Sequence, residues 1–435
     1  MRRCPKTVLL VLMLAGTAHA QDTDLTDQQI IRLLSQQVKE LQEKFAALEA
    51  KQNQATPASV PAEPAPNQLT EPADSSLDHN SILQEIRGIQ LHAVHGIKWR
   101  GFGELNYKVL DQRQPELGTF GFVPGSAGNF YSGDFDLFLT SKISEKASVL
   151  AEIVFGQGDA QSFNIDMERI LFKYDHNDHL KLSFGRYHTG IGYYNTAFPS
   201  GKWLQTTADR PLVMEFANDG GLLPTQAIGV SATGSIPSGK WGLNYLAEYG
   251  SSDTIRPDLK IGHNADSTGL AFDENNGNHV NVGLFLRPDF APGLQVGASI
   301  YHDRISDFLK GPSVRLGQTI VNAHVVYKER GIEFLNEGFL LRNTYEQGGS
   351  VYNMPAFYSQ ISRRFGNFRP FFRYQYVNAN TKSIYHDDVQ LRHGPTFGVS
   401  YDFNESFAIK TQLDHTIRKE LNDLNTLQLQ LVFAF

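Results

Sequence analysis

The last nine residues, Leu427-Gln-Leu-Gln-Leu-Val-Phe-Ala-Phe435, alternate large apolar side chains with polar or smaller ones at every step. Successive side chains of a β-strand point to opposite faces, so this run fits a strand with one greasy face and does not fit the 3.6-residue period of a helix. The alternation recurs. Ile409, Thr411 and Leu413 alternate with Lys410, Gln412 and Asp414, and Phe397, Val399, Tyr401 and Phe403 with Thr396, Gly398, Ser400 and Asp402. Phe372, Tyr374 and Tyr376 flank Arg373 and Gln375, and Val280, Val282, Leu284 and Leu286 flank Asn281, Gly283 and Arg287. Asp134 and Asp136 stand between Phe135, Leu137 and Leu139. Period two thus runs from Ile97 to Phe435, and the expected class is all-β.

A soluble sandwich also alternates, but its connections are mixed in length and topology. Here short connections (144–146, 175–179, 237–238, 287–293, 366–367, 404–407) are expected to take turns with long ones (108–133, 188–225, 250–278, 303–317, 378–392). Short turns at one end and long loops at the other mark a transmembrane antiparallel β-barrel, and this spacing gives about sixteen strands, an even number that puts both chain ends on one side. Closure also satisfies every backbone N–H and C=O inside hydrocarbon. A mean hydropathy of -0.32 does not oppose this, because a barrel shows its apolar residues only at every second position. Tyr374, Tyr376, Tyr401, Phe403, Phe433 and Phe435 fall near strand ends, where interfacial aromatic girdles belong.

Four segments precede the barrel at 97–435. Residues 1–20 read as an export signal, with Arg2, Arg3 and Lys6, an apolar run from Val8 to Ala15, and Ala18-His19-Ala20 as cleavage site. Cys4, the single cysteine, lies in that signal, so thiol chemistry and disulfides are not expected in the exported chain. Residues 21–52 carry a periplasmic α-helical coiled coil over Thr26 to Gln52. Ile31, Val38 and Phe45 take its a positions, and Leu34, Leu41 and Leu48 its d positions. Residues 53–75 form a Pro/Ala-rich linker, and 76–96 a short amphipathic piece with Ile82, Ile86 and Ile89 on one side. Losing the three cations of the signal takes the net charge from -7 to -10, which argues against nucleic acid as a partner.

The signal, the N-terminal coil, about sixteen strands and the terminal Phe of Leu427–Phe435 together resemble the general and phosphate-selective (O and P type) porins of bacterial outer membranes. The resemblance implies an outer-membrane protein that sits in the lipid bilayer, is delivered by the barrel assembly machinery and works as a homotrimer with its N-terminal region in the periplasm. It also implies that the third long loop, 188–226 by order, folds inward and narrows a water-filled pore. The constriction residues expected on that basis are Arg186, His188, Lys202, Arg210, Glu215 and Asp219, opposite charges facing each other across a narrow gap. By parity the pore wall is expected to present Arg100, Glu104, Asp134, Asp136, Arg287, Arg342, Arg373 and Lys410. Tyr193, Tyr194, Phe198, Trp203 and Phe216 either form a stacking track for sugars or pin the loop to the wall, and pinning is the favoured reading.

The expected function is passive diffusion of small hydrophilic solutes or ions, with no cofactor, metal or catalytic residue. An anion- or phosphate-selective pore is one alternative. A barrel-anchored tether is another, joining the outer membrane to the cell wall through residues 21–96. An enzyme is disfavoured: the chain has no Gly-x-Ser-x-Gly elbow, and the His/Asp groupings at 302–303 and 386–388 fall on the loop side, where a solvated tip explains them.

Overall fold

The computed structural model describes residues 96–111, 129–157, 163–198, 202–215, 222–252, 254–255, 277–307, 314–379, 390–419 and 421–435. The signal, heptads, linker and amphipathic piece lie outside the described residues, as do Phe216, Asp219 and residues 386–388.

The first five strands are β1 (Ile97–Leu110), β2 (Asn129–Lys142), β3 (Ala147–Gln157), β4 (Phe163–Asn177) and β5 (Leu180–His188). There follow β6 (Gln226–Ile236), β7 (Leu243–Ser251), β8 (Thr254–Ile255), β9 (Asn278–Leu286), β10 (Leu294–Asp307) and β11 (Arg315–Glu329). The last six are β12 (Ile332–Tyr345), β13 (Val351–Arg363), β14 (Phe368–Asn378), β15 (Leu391–Asn404), β16 (Phe407–Arg418) and β17 (Leu424–Ala434). Each long strand pairs antiparallel with the next, β7 pairs with β9, and β1 pairs with both β2 and β17. The two-residue β8 lies parallel to the end of β10, so sixteen strands make a closed barrel wall.

The closing seam explains the aromatic C-terminus. Gly101 and Phe435 exchange backbone hydrogen bonds of 2.9 Å in both directions. A Cβ on Gly101 would lie 2.1 Å from the Phe435 ring, and one on Gly103 would lie 2.4 Å from the Phe433 ring. Two glycines in β1 thus provide the seats for the two terminal rings. At the same end, β11 and β12 join through Arg330 and Gly331, with φ of 52° and 75°, the two left-handed positions of a type I′ hairpin. At the loop end not every connection is long: 346–350 and 419–423 are as brief as the turns, since an antiparallel hairpin needs no more.

Outward rows are apolar and open to the surroundings. Ile170 is 51% exposed, Leu284 50%, Phe397 52% and Leu413 52%, against 2% for Lys410 and 0% for Gln412 on the inward row. Those rows therefore face outside and are not sandwiched between sheets, the arrangement hydrocarbon requires. Aromatic pairs gather near strand ends, Phe368 with Tyr401 at 4.7 Å and Tyr401 with Phe403 at 4.8 Å.

One expectation is corrected. Arg342 is not part of the pore wall: on β12 the inward row is Glu333, Leu335, Glu337, Phe339, Leu341, Asn343 and Tyr345, all buried, while Phe334, Leu340 and Arg342 are exposed outside. Leu335, Phe339 and Leu341 stand in that inward row because a loop packs against them from within, a local exception to the usual polar-inside rule.

Candidate constriction in the barrel lumen

The described residues of the connection between β5 and β6 contact inward-facing side chains of the wall on β7, β10 to β14 and β16. Its base is closed by Thr189, whose N–H donates to the Thr225 carbonyl at 2.9 Å, and by Asn195, whose amide donates to the Thr189 and Thr225 carbonyls at 2.9 and 2.8 Å. Gly190 N–H donates to both oxygens of Glu248 on β7 at 3.0 Å. A single helical turn, α1 (Tyr194–Ala197), then meets β12. Glu337 receives the N–H of Tyr193 at 2.6 Å and of Tyr194 at 2.9 Å, and the Tyr358 hydroxyl at 2.6 Å. A Cβ at position 192 would lie 2.4 Å from Glu337 Oε2, so Gly192, at φ 81°, lets that carboxylate approach.

Apolar packing reinforces the clasp. Ile191, Tyr194, Phe198, Val213, Met214, Leu222 and Leu223 form one buried cluster with inward residues of β10 to β14, among them Tyr301, Ile320, Leu335, Phe339, Met354 and Val377. Burial of Leu- and Phe-sized side chains contributes about 1.5–3 kcal/mol each, enough to hold a loop inside a wet lumen. Burial also pushes the Tyr194 hydroxyl up to about 12, which keeps it protonated as the donor to Gln205 Oε1 at 2.8 Å.

Beyond α1 the loop backbone is held by wall side chains from several strands. Thr206 donates to Glu333 of β12 at 2.8 Å, and Leu212 N–H to Gln375 of β14 at 3.0 Å. Lys410 of β16 donates to the carbonyls of Lys202, Gln205 and Thr207, the last two at 2.7 and 3.2 Å. Arg373 of β14 donates to the Asp209 carbonyl at 2.9 Å, and Gln412 of β16 accepts Ala208 N–H at 2.9 Å. Lys108 of β1 pairs with Asp209 at 3.2 Å. Burial by itself would raise the Asp209 carboxyl. The Lys108 ammonium, with Lys202 and Arg373 nearby, outweighs burial and holds it below the ordinary carboxylate range.

Charge is mixed around the lumen, with Arg100 and Lys108 beside the carboxylates of β1 to β3 and Asp414 beside the cations of β14 to β16. Glu104, Asp134, Asp136 and Glu152 line β1 to β3, with Arg169 of β4 paired to Glu152. Arg373, Arg392, Lys410 and Arg418 occupy inward positions of β14 to β16. Between the loop and this second group lies a cavity of ≈ 90 Å³ whose lining includes five cations (Lys108, Arg210, Arg373, Arg392, Arg418) and three carboxylates (Asp209, Glu215, Asp414), so it is net basic.

The expected residues distribute as follows. Lys202, Arg210 and Glu215 lie on the inserted loop, but Arg210 is only 2% exposed. Its guanidinium donates to the carbonyls of Met214 at 2.6 Å and Phe198 at 2.7 Å and sits 5.0 Å from the Tyr194 ring centroid. Arg186 and His188 end β5, where His188 lies 3.4 Å from Glu168 and Arg186 lies 3.8 Å from Asp166. Arg100, Glu104, Asp134, Asp136, Arg373 and Lys410 occupy inward positions. Arg287 continues the inward row of β9, bonding Gln295 at 2.9 Å and lying 5.3 Å from the Phe285 ring centroid. Tyr194 and Phe198 are buried against the wall, and Trp203 packs on Phe102, Phe138 and Ala434, so these aromatics fill the gap between loop and wall.

Sequence reasoning missed Glu333, Glu337, Gln375 and Gln412, which clasp the loop, and Arg392 and Arg418, which line the cavity. The last two lie four residues from Thr396 and Asp414, so extending the parity of β15 and β16 finds them. A carboxylate flanked by apolar inward residues, as Glu337 is by Leu335 and Phe339, is the signal for a clasp. Among the described residues no helix is long and apolar enough to cross a membrane, and no group of three or more His, Cys, Asp or Glu is placed to hold a metal.

No protein-family model and no curated protein sequence matches the chain. Solved structures do. An anion-selective porin from Comamonas acidovorans superposes with a TM-score of 0.51 at 12% identity, covering 78% of this chain and 99% of that one. The outer membrane channel DcaP of Acinetobacter baumannii gives 0.51 at 9% identity, covering 78% and 97%. The trimer form of OmpT, an outer membrane protein of Vibrio cholerae, gives 0.50 at 12% identity, covering 78% and 99%. At such identities the likeness is one of architecture, and in architecture this chain is a sixteen-stranded barrel with the fold of the outer-membrane porins.

Proposed function

We propose that the protein is a passive channel of the outer membrane, through which small hydrophilic solutes cross by partitioning into a lumen narrowed by residues 189–225. The observation that carries this reading is the loop itself, fastened across the lumen by side chains of β1, β7, β12, β14 and β16. A loop that only capped the barrel would need no such clasp, and a basic cavity lies beside this one. The protein works as a homotrimer with its loops outside the cell and its N-terminal region in the periplasm. The trimeric Vibrio cholerae barrel of like architecture supports the first part.

Within that function, Lys202 and Glu215 form the rim of the aperture, with Arg186 and His188 at its hinge; Asp219, expected beside them, lies outside the described residues. Arg210 acts from behind, fixing the loop's shape. An anion preference is the second reading, favoured by the excess of cations around the loop-end cavity. Fixed charge on both sides of a narrow, low-dielectric gap sorts ions by sign. The test is the reversal potential of purified protein in planar bilayers under a salt gradient. An anion-preferring pore gives a potential of anionic sign that collapses in Arg392→Gln/Arg418→Gln. A potential near zero leaves the general pore, and absence of single-channel conductance refutes both. Lys202→Ala is expected to change conductance or ion preference, and unchanged currents would remove Lys202 from the rim.

A further inference from the structure

The outward face of β10 to β12 breaks the apolar pattern near the loop end. His302, Thr319, Arg342 and Asn353 pair in sequence across β10, β11, β12 and β13, forming one polar row on the outside of the wall. The next row toward the loops is Arg304, Gly317, Thr344 and Val351, and above it Arg315 pairs with Ser306 of β10. The row just below is Ile300, Val321, Leu340 and Pro355, apolar throughout, with Ile300 51% exposed. The change from greasy to polar is therefore made within one step of each strand.

Two of the three arginines there share one carboxylate. Arg304 donates to both oxygens of Glu346 at 2.6 and 2.8 Å, and Arg315 lies near the same carboxylate. Arg342 is exposed, and among the described residues its guanidinium has neither ion pair nor hydrogen bond. Gly317 leaves the floor between them low, with nothing nearer to its Cβ position than Thr344 O at 3.7 Å. A cation on the lipid face costs about 2–4 kcal/mol at the bilayer midplane and close to nothing at the interface. A cluster kept at that boundary is placed to meet a counter-charge from the membrane.

We propose that this patch binds the phosphorylated headgroup of a lipid in the loop-side leaflet, with Arg342 and Arg315 on the phosphate and Thr319, Thr344 and Asn353 on the neighbouring polar groups. Guanidinium matches phosphate oxygens in bidentate geometry, and the apolar row beneath receives the acyl chains. Another copy of the chain fits less well. Among the described residues the outward rows of the wall carry one carboxylate, Glu329, and it stands at the opposite, short-turn end. The proposal rests on the reading of the chain as a membrane barrel but not on its being an open pore.

The test uses the full-length oligomer in detergent, titrated with a diphosphorylated disaccharide lipid (lipid A) or its dephosphorylated form, with bound lipid counted by native mass spectrometry. Wild type is expected to prefer the phosphorylated form by roughly tenfold or more, and Arg315→Gln/Arg342→Gln to lose that preference. Thr319→Val, which leaves every charge in place, lowers it by a smaller factor. Equal binding of the two lipids by wild type overturns the proposal, as does an unchanged preference in the double variant. Dissociation of the oligomer in that variant with lipid preference intact assigns the patch to a protein contact and also overturns it. Conductance recorded on the same samples separates this outcome from failure of the channel reading.

Discussion

Glu337 is the single side chain on which the entry of the loop most depends. Replacing it by alanine removes the acceptor for two backbone N–H groups and the Tyr358 hydroxyl, in a site where Tyr194 is 0% and Glu337 2% exposed. Each buried donor left without a partner costs ~1–3 kcal/mol, so the two amides together weaken docking of residues 189–198 by ~2–6 kcal/mol. Even the low end, at ~1.4 kcal/mol per decade, shifts the docked-to-undocked ratio more than tenfold. The middle of the loop stays tied to Lys410 and Arg373, so the disturbance is local. Single-channel records of Glu337→Ala should show flicker between levels and a larger mean conductance, with new proteolytic cuts in the 189–198 stretch. Glu337→Gln keeps one carbonyl acceptor and should fall between. Quiet records at wild-type conductance, with the segment still protected from protease, would refute the clasp.

Other outcomes follow from the same geometry. Lys410→Met takes the donor from three loop carbonyls and should raise open-channel noise, read in planar bilayers, while the barrel still migrates as folded in unheated gels. Gly101→Val places methyl groups into the Phe435 ring and should slow closure of the barrel; overpacking costs ~1–3 kcal/mol, measured as loss of the heat-modifiable band. The Asp209 carboxyl is held below the ordinary range, so the tie to Lys108 is fully present above pH ~4 and is lost only as pH falls through the lowered value. The contribution of this tie to conductance noise should therefore be flat from pH 7 to 5 and rise only in stronger acid. In Asp209→Asn the rise should be present at every pH.

The alternation from Ile97 onward carried the architecture, because in a closed barrel each outward side chain must suit lipid independently of its neighbours. Leu427 to Phe435, Phe397 to Phe403 and Val280 to Leu286 fall on the predicted faces for that reason. The lumen was less legible. Arg100, Glu104, Asp134, Asp136, Arg373 and Lys410 obeyed parity, yet parity says nothing about height along the pore or about what stands opposite. It failed at Arg342, where Leu335, Phe339 and Leu341 mimic a lipid-facing row while touching the inserted loop.

Strand spacing and side-chain period by themselves thus determined a closed antiparallel wall, its number of strands and the place of the terminal phenylalanine, since each is a local consequence of backbone geometry and water exclusion. Which cations line the cavity, which carboxylates clasp the loop and which arginine looks outward were decided only by the tertiary structure. Those assignments depend on residues more than a hundred positions apart meeting across the lumen, as Glu337 meets Tyr193 and Lys410 meets Gln205. Contacts of that range arise from closure of the ring and have no period a linear sequence can display.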